Sequence, residues 1–163
     1  MKNKIIIISF IIFSIVYSDT IFVPDDYSSI QNAIDSANDL DTILVSPGSY
    51  QENINFNGKS IVLSSNYEVQ NDSLLISSTI IDGGENGSVV IFNNNEGNNS
   101  IIKGFTLQNG NGFFADPDEN GTFYTYGGGI YCKGSAPTLK DLIITNNSGN
   151  EGGGGGVFCY EAS

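Results

Sequence analysis

The residues of this chain whose types and spacing suit chemistry are few and unevenly placed. The densest group is Asp116-Pro117-Asp118-Glu119-Asn120-Gly121, which alternates oxygen-bearing side chains and ends on a turn glycine. Asp116, Asp118 and Asn120 stand where the first half of a calcium loop has its ligands, so Ca2+ is the one cofactor this sequence suggests. The carboxylate expected at position twelve of such a loop is replaced by Gly127. The same half-motif also describes an exposed acidic turn, the commoner case. Cys132 and Cys159 are the only thiols. The sequence has no His and no Arg. That removes Ser-His-Asp and Cys-His nucleophiles and His-ligated zinc. Eighteen acids against six lysines give a net charge of −12, which repels nucleic-acid phosphate and anionic lipid headgroups.

Positioning such residues takes elements, and these begin after a leader. Met1-Lys2-Asn3-Lys4 precedes an apolar run from Ile5 to Tyr17, followed by Ser18. Residues 1–18 read as a secretory signal peptide, too short and too interrupted by Ser9 and Ser14 for a membrane span. The mature chain, 19–163, is therefore expected outside the cell or on its surface, with no membrane span. Two cysteines are too few to staple a small fold, so burial must hold it together.

One helix is expected. Ile30, Ala33, Ile34 and Ala37 fall on one helical face, Ser28 and Gln31 have capping-box spacing, and Asp25 and Asp26 suit the N-terminal dipole. Beyond it, short β-branched runs alternate with Gly and Asn corners: Thr42–Val45, Asn53–Phe56, Ser60–Leu63, Ser78–Ile81, Ser88–Phe92, Ile101–Leu107, Gly129–Cys132, Leu139–Thr145 and Gly156–Tyr160. This is an all-β pattern.

Internal repetition narrows it. Gly127-Gly128-Gly129-Ile130-Tyr131-Cys132 matches Gly154-Gly155-Gly156-Val157-Phe158-Cys159 at an offset of 27, and Ile102–Asn109 resembles Leu139–Asn146 at an offset of 37. An insertion over Phe113–Tyr126 accounts for the difference. A strand repeat of this length indicates a parallel β-helix, a solenoid whose equivalent strands stack. Period two turns Ile130, Val157, Cys132 and Cys159 inward and leaves Tyr131 and Phe158 outward. Cys132 and Cys159 are expected as a stacked core ladder, with a disulfide as the alternative, and Asn109 is expected over Asn146. The helix should cap the first coil. With no second cap before Ser163, residues 19–163 read as the N-terminal part of a longer domain.

The opening Ile21-Phe22-Val23-Pro24, with Ser29–Ile34 and Asp41–Ile54 after it, resembles the start of pectin-lyase-like right-handed parallel β-helix proteins of the secreted bacterial type. The Gly-Gly-Gly-Ile and Thr-Asn-Asn repeats are similar to theirs as well. The resemblance implies a right-handed, single-stranded coil, and polysaccharide-active enzymes as relatives. Lyases of that kind imply Arg or Lys beside Asp-held Ca2+, but here Arg is absent and Lys59, Lys103, Lys133 and Lys140 read as solvated or edge residues. The Gly-x-x-Asp-Phe-x-Phe-Gly motif that an esterase of the fold implies is absent too, and Gly48/Tyr50/Glu52 belongs to the first coil. The reading favours a non-catalytic scaffold, adhesin-like or glycan-binding, that meets an extracellular polysaccharide or cell-envelope component through Tyr131 and Phe158. A polysaccharide-active enzyme with its catalytic coils missing is the rival.

Overall fold

Alternating apolar side chains make the strands of this chain, and residues in left-handed conformation break them. The computed structural model describes residues 17–67 and 74–161. The expected leader lies outside them except for Tyr17 and Ser18. The elements run β1 (Thr20–Val23), α1 (Ile30–Ser36), β2 (Thr42–Val45), β3 (Gly48–Gln51), β4 (Ile54–Asn55), β5 (Val62–Ser65) and α2 (Leu74–Ser78). They continue with β6 (Thr79–Asp82), β7 (Val90–Phe92), β8 (Ile101–Lys103), β9 (Thr106–Gln108), β10 (Phe113–Ala115) and β11 (Tyr124–Tyr126). The last are β12 (Ile130–Lys133), β13 (Thr138–Lys140), β14 (Ile143–Thr145) and β15 (Val157–Tyr160). Among the described residues no helix is long and apolar enough to cross a membrane.

The protein is mostly strand, as expected, and its three larger sheets are parallel. Their orders are β1-β2-β5-β8-β13, β3-β6-β9-β14 and β4-β7-β12-β15. From β3 onward the chain visits the three sheets in rotation. Both sequence offsets reappear as register: Ile130 and Cys132 lie opposite Val157 and Cys159, and Thr106-Leu107 opposite Ile143-Ile144. The runs Ile101–Leu107 and Leu139–Thr145 are each two strands in different sheets. The break falls at Gly104 (φ 81°) and Asp141 (φ 50°), the residues just after the paired Lys103 and Lys140. A side chain at Gly104 would also strike the Tyr67 ring.

Ile43, Leu63 and Ile102 from the first sheet, Ile81 and Leu107 from the second, and Val90, Phe92 and Ile130 from the third share one core, all fully buried. Each such side chain contributes about 1.5–3 kcal/mol on burial. On the edge strands β13, β14 and β15, Leu139, Ile143 and Val157 are 38–43% exposed although they stack on buried partners. The glycine triplets answer to two causes. Gly127 and Gly154 have φ of 59° and 70°, whereas a Cβ on Gly128 would stand 2.7 Å from the Gly155 carbonyl.

Helix α1 puts Ile30, Ala33 and Ile34 into the core against β1, β2 and β4. Its cap differs from the expected one. Ser29, not Ser28, is the N-cap and accepts from the Asn32 amide, while the Glu52 carboxylate takes the Ile30 and Gln31 amides at 2.9 Å each. Asp26 accepts from the Phe22 amide, so it closes the turn after β1 rather than serving the dipole. Lys59 is not a solvated charge: its Nζ donates to the carbonyls of Ile34, Asp35 and Ala37, each at 2.7 Å. A second short helix, α2, and the strand β3 after Pro47 were both missed by the run pattern.

Candidate aromatic binding site

The insertion expected over Phe113–Tyr126 is a two-stranded antiparallel hairpin, the only antiparallel pairing among the described residues. β10 pairs with β11 as Phe113 to Tyr126, Phe114 to Thr125 and Ala115 to Tyr124. Strand alternation splits its side chains between two faces. Phe113 and Tyr126 turn toward the third sheet, with ring centroids 4.8 Å from Tyr131 and 4.5 Å from Phe158 respectively. Tyr131 and Phe158 stack on each other at 5.8 Å, 12° from parallel. The opposite face carries Phe114 and Phe123, 66% and 54% exposed, stacked at 5.5 Å.

This arrangement corrects one expectation. Tyr131 does alternate away from the core residues Ile130 and Cys132, as period two requires, but the hairpin lies over it and leaves it 2% exposed. Phe158 is half-buried. The exposed aromatics are one layer further out, on the hairpin. The sequence signal for them was the pair of aromatic clusters Phe113-Phe114 and Phe123-Tyr124-Thr125-Tyr126 flanking a Pro, Asn and Gly turn, the pattern of a hairpin.

Two open basins meet at Phe114. One, about 440 Å³, is lined by Phe114, Phe123, Tyr124, Thr125, Asn150 and Glu151. The other, about 450 Å³, is lined by Phe113, Phe114, Asp116 and Tyr131 together with Asn93 and Asn95. The charge around them is negative. Lys133 is the cation in the second basin, and its Nζ is 3.5 Å from Glu119. The Tyr126 phenol is pushed above its usual range, first by burial and then by Asp118, Tyr124 and Asp116. It therefore stays neutral.

The calcium-loop residues form the tip of this hairpin. Asp116 accepts from the amides of Asn120 and Gly121 at 3.1 and 2.7 Å, Asp118 from the Asn120 side chain at 2.7 Å, and Asn120 Oδ1 from the Thr122 amide. Their oxygens close the turn. Among the described residues no three carboxylates or thiols gather as a metal site would need. The other aspartates are held at corners. Asp82 accepts from Gln108, Asn109 and the Gly84 amide, and the Gln108 bond leads in holding its carboxyl below the usual range, against its burial. Asp141 accepts from the Tyr67 hydroxyl at 2.6 Å. Asn109 and Asn146 both sit in left-handed conformation just past paired strands, and amide bonds between neighbouring corners run from Asn109 to Asp82 and from Asn147 to the Leu107 carbonyl.

Cys132 and Cys159 are register partners with free thiols, Cys132 buried and Cys159 exposed. Cys132 Sγ donates to the Ser135 carbonyl at 3.1 Å. Burial, then Cys159 and Glu96, push its thiol up to about 12, which makes it a poor nucleophile at neutral pH. Glu96 escaped notice in the sequence. It is 2% exposed and accepts from the Gly58 and Asn94 amides and the Ser135 hydroxyl, at 2.8–2.9 Å. No family model, curated protein or solved structure matches this chain.

Proposed function

We propose that the protein is a secreted or cell-surface right-handed parallel β-helix module that binds glycan without transforming it. The rotation of strands among three in-register parallel sheets supports the β-helix, and the resemblance of residues 21–54 to pectin-lyase-like openings supports its hand. The leader at 1–18 supports export.

The observation that carries the binding role is the exposed Phe114–Phe123 pair. Two stacked rings held out on a hairpin, with the hairpin's own base anchored on Tyr131 and Phe158, add nothing to the core. Exposed apolar surface of this kind marks a recognition site. Sugars present apolar C–H faces edged by hydroxyls, and here the rings are edged by Asn, Thr and carboxylate groups. Asp82, Asp116, Asp118 and Asp141 are each engaged in their own turns or corners, which favours binding over hydrolysis.

Retention on insoluble polysaccharides tests this. Wild type should be retained with no release of sugar and no absorbance rise from unsaturated product, and Phe114→Ala/Phe123→Ala should pass through. Product release, or failure of every polysaccharide to retain wild type, contradicts it.

A further inference from the structure

Granted the glycan reading, we infer that the ligand is a neutral, linear oligosaccharide that spans both basins and crosses the Phe114 ring. The two basins share Phe114, so a chain occupying both must pass over that side chain. Phe123 belongs to the first basin alone. The two rings are therefore unequal: Phe114 lies at the crossing between the basins, Phe123 at one end of the path.

Charge decides the class of sugar. Asp116, Glu151 and Glu161 line the basins, Glu119 faces the one lining cation, Lys133, and Asp118 acts on the neighbouring Tyr126. The whole sequence offers no guanidinium to grip a carboxylate in two places. A uronate or sulfated chain would bring like charge into an acidic field, whereas a neutral chain brings only hydroxyls. Those hydroxyls meet acceptors on Asp116 and Glu151 and both donors and acceptors on Asn93, Asn95 and Asn150.

Calorimetric titration with neutral di- to hexasaccharides built on glucose, xylose, mannose and N-acetylglucosamine, beside hexagalacturonate, tests the inference. At least one neutral series should bind with affinity rising about tenfold from the shortest to the longest member. Phe114→Ala should abolish that length dependence, while Phe123→Ala should weaken binding about tenfold and leave part of the dependence in place. Affinity should change little with salt, since no ion pair is formed. Retained circular dichroism and melting temperature show that each variant folds. Preferential, salt-sensitive binding of hexagalacturonate overturns the neutral class but leaves glycan binding standing. A flat length dependence overturns the two-basin path, and no binding to any sugar overturns both the inference and the glycan reading.

Discussion

At the scale of single residues, the side chains that decide most are those whose partners are far away in sequence. Cys132 was legible as an inward residue opposite Cys159, because the 27-residue offset is written in the glycine triplets. Its thiol's environment was not, since the buried Glu96, 36 positions earlier, reaches it only through tertiary packing, beside the local Ser135 carbonyl. The raised thiol value carries a pH consequence. A group whose value rises on folding stabilises the fold while it stays neutral, and that contribution is lost as pH climbs through the folded value. The window runs from the ordinary thiol range near 9 up to about 12. Wild type should therefore lose melting temperature more steeply than Cys132→Ala across that window, and equal slopes would contradict it. At neutral pH iodoacetamide should label Cys159 while Cys132 stays protected until the protein unfolds.

At the scale of elements, α1 shows what pattern reading delivers and where it stops. The i, i+3, i+4, i+7 apolar spacing placed the buried face correctly, because a seven-residue helix survives only by burying that face. Its two ends were not legible. The N-terminal amides are satisfied by Glu52 and the C-terminal carbonyls by Lys59, residues more than twenty positions away that belong to the strand region underneath. Lys59→Met keeps the apolar stem and removes three charge-assisted bonds at the negative end of the helix. It should cost about 2 kcal/mol. Urea unfolding reads this as a lower midpoint at unchanged slope, and an unchanged midpoint would show the bonds to be idle. The splitting of Ile101–Leu107 and Leu139–Thr145 teaches a related lesson. The corners were marked only by Lys103-Gly104 and Lys140-Asp141 inside otherwise apolar runs, and Asp141, unlike Gly104, is a weak signal of a bend.

At the scale of the molecule, the parallel sheets and the exposed aromatic surface are built by different elements. Repetition announced strands stacked in register, and the ten-residue mismatch between offsets of 37 and 27 pointed to an insertion over Phe113–Tyr126, where the hairpin lies. What the insertion does was hidden, because a hairpin folding back over Tyr131 reverses which aromatics meet solvent. The hairpin pairs with none of the three parallel sheets, and its exposed rings face away from the core. The most direct measurement is therefore to replace residues 113–126 with a short Gly-Asn turn, add Tyr131→Thr and Phe158→Thr to keep the uncovered face polar, and follow glycan retention beside thermal unfolding. The expected result is a cooperative β-type transition with glycan binding lost. Binding that persists without the hairpin would contradict the assignment of function to the Phe114–Phe123 surface.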